Sequence, residues 1–238
     1  MNSSNSPACE LRAGETIDAF MDGRLKLIQS RSGYRFSIDA VLLSQFVTTR
    51  PGDILVDLGT GCGIIPLMLL LAGSIQYALG LELQSQLADQ AARNVLLNGF
   101  GGRIGVVLGD IRQPPLSSHC ADVVVCNPPY RKKQSGRINP DPQRAIARHE
   151  IMASLEDILT AARWVLKPKG RLAMIYPAFR LADVFWRMRE FHLEPKKIRV
   201  VYPGLSSEAK LVLIEACLGG RGGLKILPPI IDQGDFSL

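Results

Sequence analysis

Cysteine and histidine are scarce in this sequence, and neither is placed for the chemistry that needs them. The five cysteines (Cys9, Cys62, Cys120, Cys126 and Cys217) are scattered, odd in number and without a C-x-x-C pair. A disulfide framework or a structural zinc site needs closer, repeated spacing. The three histidines add no metal site either. His149-Glu150 opens like a zinc-protease helix, but Ala153 stands where H-E-x-x-H requires its second histidine. Long apolar runs are missing too: the longest, residues 64–72, is far too short to cross a bilayer and reads as a buried helix. The start of the chain lacks the charged stretch and apolar run of a secretory signal. These absences lead us to expect a reduced, cytoplasmic protein with no membrane segment and no metal.

What is present is ordinary globular material, 47% hydrophobic and 21% charged over 238 residues, enough for one sizeable α/β core with at most a small appendage. Residues 1–12 look like a loose end. From Asp53 onward, short β-forming runs at 54–58, 77–81, 103–108, 121–126 and 172–176 alternate with helical stretches. Those at 63–73 and 84–97 come first, Pro66 being tolerable in a first turn and Leu87, Ala91, Val95 and Leu96 suiting one helix face. A third helix, 153–166, is stopped by Lys167-Pro168, a fourth spans 180–191, and runs at 198–201 and 211–216 could close the sheet. Ser37 could cap an earlier helix, 38–47, that stops near Arg50-Pro51.

This alternation implies a mostly parallel sheet covered on both faces, with ligands beyond the carboxyl ends of its strands. We expect an N-terminal extension at 1–36, a core domain at 37–218 and a Gly/Pro-rich, irregular tail at 219–238.

The net charge of +6 is concentrated. Arg131, Lys132, Lys133, Arg137, Arg144 and Arg148 face only one acid in their window, Asp141, which makes it +5 by itself. Such a cluster is either a solvated loop or the footprint of a polyanion partner.

The sharpest local signal is Val56-Asp57-Leu58-Gly59-Thr60-Gly61-Cys62-Gly63, a glycine loop between strand and helix that lets a ligand approach the main chain. Its G-x-G-x-G spacing departs from the dinucleotide G-x-G-x-x-G, and Ile64 follows. Glu82 ends the next strand, where a carboxylate can accept both ribose hydroxyls of an adenosyl group. Asp110 follows the third strand, placed to take an adenine amine. In this order, Asp57, Gly59, Thr60, Gly61, Gly63, Glu82 and Asp110 resemble the cofactor site of the class I, Rossmann-like methyltransferases. The resemblance implies S-adenosyl-L-methionine as cofactor, its methionine end on the first loop and its ribose and adenine on the later acids. It also implies a seven-stranded sheet, the last strand antiparallel, with helices on both faces.

After the fourth strand comes Asn127-Pro128-Pro129-Tyr130. Two prolines stiffen this turn, so that the Asn127 side-chain oxygen and the Pro128 carbonyl could accept the two protons of a planar amine. That would favour the pyramidal nitrogen that attacks a methyl group, while Tyr130 offers a ring face for stacking. The tetrad resembles that of N6-adenine, N4-cytosine and glutamine-N5 methyltransferases.

Residues 29–43 are similar to the N-terminal motif of the bacterial tRNA (adenine-N6) methyltransferases that act beside the anticodon of valine tRNA. His149-Glu150 and the run 225–230 add weaker likenesses. The resemblance implies a tRNA adenosine as substrate, held through Arg131, Lys132, Lys133, Arg137, Arg144 and Arg148. It places Asp39 near the methionine end of the cofactor; read from the residues alone, Ser37 and Asp39 merely cap and start a helix. A protein-glutamine N5-methyltransferase, or another N6-adenine or N4-cytosine nucleic-acid methyltransferase, is the alternative. A dehydrogenase lacks its fingerprint here. A non-catalytic RNA-binding module would have no use for the whole set of site residues. Oligomeric state is not legible.

Overall fold

In the computed structural model the described residues are 10–31, 35–128 and 153–231. Two strands, β1 (Glu15–Phe20) and β2 (Leu25–Ser30), form an antiparallel hairpin ahead of the main sheet. Helix α1 (Ile38–Phe46) leads into β3 (Ile54–Leu58), α2 (Ile64–Leu71), β4 (Tyr77–Glu82), α3 (Ser85–Leu97), β5 (Ile104–Leu108) and β6 (Ala121–Cys126). Beyond residue 153 follow α4 (Leu155–Val165), β7 (Leu166–Pro177), α5 (Leu181–Glu190), β8 (Leu193–Tyr202) and β9 (Leu211–Leu218). Two short strands, β10 (Lys225–Ile226) and β11 (Ile230–Ile231), come last.

The main sheet runs β10-β8-β9-β7-β6-β3-β4-β5, with β11 also on β8. Strands β3 to β7 pair in parallel, and β9 inserts antiparallel between β7 and β8. This is the expected parallel-rich sheet with its antiparallel last strand, enlarged by the two short strands at one edge.

Both faces are covered, and the strands show it residue by residue. Val123, Val125, Ala173 and Ile175 point into the core shared with α1 and α2, whereas Val124, Cys126, Leu172 and Met174 point into the core with α4 and α5. That period of two, apolar on both sides, is why β3 and β6 read as mostly hydrophobic runs, broken only by Asp57 and Asp122. Residues 64–70 of α2 are buried all round, between the sheet and a layer that includes α1 and Leu25 and Leu27 of the hairpin.

Several boundaries and roles differ from expectation. The hairpin was not foreseen. It docks on α3 through Asn94, whose amide receives Ile28 N–H at 2.6 Å and donates to Ile28 O at 3.1 Å. One turn on, Asn98 treats Lys26 the same way, at 2.9 and 2.7 Å. Residues four apart on a helix and two apart on a strand lie at matching spacings, so α3 reads β2 like a neighbouring strand. Arg93, on the same helix, pairs with Glu15 at 2.5 Å and holds that carboxyl down at about 2. In α3 itself, Ala91 and Val95 are buried but Leu96 is half-exposed, because the polar residues 90, 93 and 94 take the face toward the hairpin.

Ser37 occupies the N-cap position of α1, yet its side chain makes no capping bond; its hydroxyl goes to Asp39 instead. Strand β7 begins at Leu166, well before the expected 172, across an irregular register against β6. The stretch from Gly219, expected to be irregular, contributes β10 and β11. Among the described residues, no helix is long and apolar enough to cross a membrane, and Cys62, Cys120, Cys126 and Cys217 are free thiols.

Candidate active site

The strand order reverses between β3 and β6: the chain winds outward from β3 through β4 and β5, then returns to β6 on β3's other side. Such a switch point opens a crevice at the carboxyl edge of the sheet. The glycine loop and Asn127 border it together, since Leu58 pairs with Cys126 in parallel register and the next residue of each chain leaves the sheet beside the other.

The loop is built by left-handed backbone at Gly59 (φ 77°), Gly61 (φ 57°) and Gly63 (φ 84°), where side chains are strained. Its start is tied to β4, with Gly59 N–H and Thr60 N–H both donating to Leu81 O at 2.8 and 3.0 Å. Thr60 then folds back, its hydroxyl donating to Asp57 Oδ2 at 2.7 Å. A Cβ on Gly80 would lie 2.7 Å from the Thr60 methyl carbon, so any side chain at that place in β4 displaces Thr60. Gly80 was missed in the sequence; a glycine inside a strand, the mark of close backbone approach, was its signal.

Asp57 is buried, and its Oδ1 has no hydrogen-bond partner among the described residues. Burial, aided by the nearby charge of Glu82 and opposed by Thr60, pushes its carboxyl up to about 7. The same surroundings push the Cys62 thiol up to about 12 and raise that of Cys126, so neither offers a thiolate at neutral pH.

Glu82, also buried, accepts Gly61 N–H at 2.9 Å on one oxygen and Gln84 N–H at 2.9 Å on the other. Each oxygen keeps a second acceptor direction. Asn94 supports the loop from behind, donating to Cys62 O at 3.0 Å. It too was unforeseen, since a polar helix residue ordinarily reads as solvated.

Asp110 follows β5 on the same edge, where Arg112 holds both its oxygens, Nε lying 3.0 and 2.8 Å away, and lowers its pKa. An adenine amine there would share the carboxylate with Arg112. Asp39 lies in the first turn of α1, its pKa raised by burial against the opposing Ser37 hydroxyl and Lys210 charge. Asn127 is half-buried and Pro128 buried. Pro129, Tyr130, His149, Glu150 and the whole basic window Arg131, Lys132, Lys133, Arg137, Arg144 and Arg148 lie outside the described residues.

These features fit an adenosyl sulfonium cofactor. An orphaned buried carboxylate oxygen suits a cationic ligand, and Glu82 retains acceptors for vicinal hydroxyls. At Gly59 a Cβ would meet nothing within 4 Å, which leaves open space before the loop.

A family model described as the methyltransferase small domain matches residues 37–190. The chain is 32% identical over 206 residues to the tRNA1(Val) (adenine(37)-N6)-methyltransferase of Porphyromonas gingivalis, covering 83% of this chain and 80% of the relative. It is 32% identical to the enzyme of the same name from Parabacteroides distasonis, covering 74% of each. Among solved structures, a predicted O-methyltransferase from Agrobacterium tumefaciens is similar, with a TM-score of 0.64 at 21% identity over 81% of this chain and 86% of the other. The geranyl diphosphate C-methyltransferase of Streptomyces coelicolor follows at 0.57 and 16%, over 75% and 76% of the two chains. At those identities the likeness concerns the fold.

Proposed function

The chain belongs to the methyltransferase small domain family, and from that premise we propose that it methylates the N6 amine of an adenosine in tRNA, the nucleotide beside the anticodon. It is an S-adenosylmethionine-dependent methyltransferase, and the relatives named for methylating adenine 37 of a valine tRNA support this choice of target. The observation that carries the reading is the paired exit of Gly59 and Asn127 from adjacent strands, which sets the glycine cradle beside an amide suited to an amine.

When bound, the cofactor supplies a methyl group already activated on a positive sulfur. The residues supply position and electrostatics. Gly59, Thr60, Gly61 and Gly63 hold the methionine end, with Asp57 ionised beneath it as the countercharge. Glu82 holds the ribose and Asp110 the adenine, while Asp39 approaches from α1.

The exocyclic nitrogen of adenine is a weak nucleophile because its lone pair is delocalised into the ring. Asn127 Oδ1 and the Pro128 carbonyl accept hydrogen bonds from its two N–H groups, which holds the nitrogen pyramidal and localises the lone pair for attack. One of those protons leaves to water once the N–C bond has formed, and Pro129 keeps the turn rigid. Tyr130 stacks on the base. Arg131, Lys132, Lys133, Arg137, Arg144 and Arg148, following directly in sequence, meet the RNA backbone. A tRNA-modifying enzyme of this kind works in the cytoplasm, in keeping with its free thiols.

The test is incubation of purified protein with methyl-labelled cofactor and separate pools of tRNA, rRNA and protein, followed by nucleoside and amino-acid analysis. Label in N6-methyladenosine from tRNA is expected. Label in N5-methylglutamine instead would overturn the assignment.

A further inference from the structure

Helix α1 is fastened at its far end to the amino edge of the sheet. Thr48 N–H donates to Glu215 Oε2 at 2.7 Å, and Thr48 O accepts from Arg171 Nε at 3.1 Å. Arg171 also pairs with Asp53, just ahead of β3. The helix therefore begins toward the carboxyl edge. There the charge of Lys210 acts on Asp39, and Lys210 O receives Ala178 N–H at 3.1 Å where β7 ends.

Helix α2 also begins at the carboxyl edge, out of the glycine loop, so the two helices run side by side in one direction. A single contact fixes their register: Ser44 Oγ of α1 lies 3.2 Å from Met68 Sδ of α2. Five residues back along each helix, about 7.5 Å at the rise of an α-helix, stand Asp39 and Gly63. The entrance of α1 is thus a wall of the crevice, level with the last glycine of the loop.

That entrance has no side-chain cap of its own and is held from the hairpin. Gln29, buried at 2% exposure, accepts Phe36 N–H on Oε1 at 3.2 Å and donates from Nε2 to Asp18 Oδ2 at 2.8 Å. Arg35 reaches the same carboxylate oxygen at 2.7 Å, and the Phe36 ring meets Phe20 edge-on, 5.3 Å between centroids. An ionised carboxylate only accepts and a main-chain N–H only donates. The side chain between them must do both, and the amide of glutamine does so in one orientation.

The preceding residue, Ile28, is tied to Asn94, which donates onward to Cys62 O in the glycine loop. Two successive residues of β2 thereby brace two sides of the crevice, one the loop and the other the entrance of α1.

We propose that Gln29 is a positioning residue for the cofactor: by holding Phe36 it sets Ser37 and Asp39 beside the glycine loop, around the methionine end. This rests on the reading of Gly59 to Gly63 and Asp39 as the seat of that end. Gln29 acts through the main chain of residues 36–39 rather than by contact. Adenosine, which has the ribose and adenine but no methionine end, should be indifferent to it.

The experiment titrates the full chain calorimetrically with S-adenosylhomocysteine and with adenosine. Gln29→Glu sets a second carboxylate against Asp18, and Gln29→Met, of similar length, removes both bonds. Each should weaken S-adenosylhomocysteine about tenfold and leave adenosine within about twofold. Adding Asp18→Asn to Gln29→Glu exchanges donor and acceptor across the same bond and should restore the lost affinity. A general loosening of the fold would weaken both ligands alike. An equal loss for both ligands, wild-type affinity in the single variants, or no restoration in the double variant overturns the proposal and leaves the reading of the methionine end intact. If wild type binds S-adenosylhomocysteine no better than adenosine, that reading falls and the proposal with it, an outcome seen without any variant.

Discussion

Thr60 occupies the space that a side chain at Gly80 would need, across the gap between the glycine loop and β4. Because a Cβ there would come within 2.7–2.9 Å of three Thr60 atoms, Gly80→Ala must push the threonine off Asp57. Overpacking of this kind costs about 1–3 kcal/mol, read as a lower urea midpoint. Cofactor affinity should fall with it, measured by titration calorimetry, because the displaced threonine belongs to the loop.

Asp57 makes both stability and ligand affinity depend on pH. Its folded-state pKa of about 7 lies above the ordinary 3.8, so in that window the folded chain holds a proton that the unfolded chain has released. The resulting stabilisation is complete below 3.8 and is lost as pH rises through about 7. Denaturation of wild type against Asp57→Asn across that window should show only wild type losing stability from this source. A cationic cofactor favours the ionised carboxylate, so affinity should rise through the same pH range in wild type and stay level in the variant. Thr60, Glu82, Cys62 and Cys126 face this carboxylate, and neither thiol ionises within the window.

Replacing Asn127 by Ala should separate chemistry from binding. The amide's bonds to the amine strengthen as the nitrogen becomes pyramidal, so turnover should fall by roughly two orders of magnitude or more, while calorimetry finds cofactor affinity nearly unchanged. Turnover near the wild-type value would make the tetrad a structural turn.

Asn94 and Asn98 make paired bonds of the same pattern in different surroundings, and their losses should differ accordingly. Asn94→Ala leaves the main-chain groups of Ile28 and Cys62 without their buried partner, at about 2–4 kcal/mol. Asn98→Ala exposes its strand partners to water, and the loss should stay below about 1 kcal/mol. Urea unfolding of the two variants checks the order, and Asn94→Ala should also weaken cofactor binding through Cys62.

Changing Lys132, Lys133 and Arg137 together to Ala should weaken tRNA binding and flatten its dependence on salt by roughly two units of log-log slope. Fluorescence anisotropy at several salt concentrations measures both, with cofactor affinity as the control.

How much of this was legible depends on whether a residue's environment repeats along the chain. Strands at 54–58 and 121–126 could be read to the residue because burial on both faces leaves runs of β-formers interrupted only by Asp57 and Asp122. The glycine loop, Glu82 and Asp110 could be found because each follows a strand. The N-terminal hairpin carried a readable Asp22-Gly23 turn signal, and residues 21 to 23 do adopt left-handed backbone. Its strands lack the clean alternation that draws notice, however. Asn94 was illegible, since only the arrival of β2, distant in sequence, turns a polar helix position into a buried one. Strands β10 and β11 were illegible for another reason: they join through main-chain bonds, and both side chains of β10 remain exposed, which leaves no hydrophobic pattern to read.

Those last two strands also protect the protein from itself. They cover successive parts of β8, at Lys197 to Ile198 and at Val201 to Tyr202, and between them stand Pro228 and Pro229, which have no amide hydrogen to offer a newcomer. A chain ending before Gly219 would retain each described residue proposed to handle cofactor or amine. It would also present β8 as a bare strand, open to the same strand of another molecule. Such a truncation would first betray itself as turbidity on storage, with the surviving monomer still fit to work.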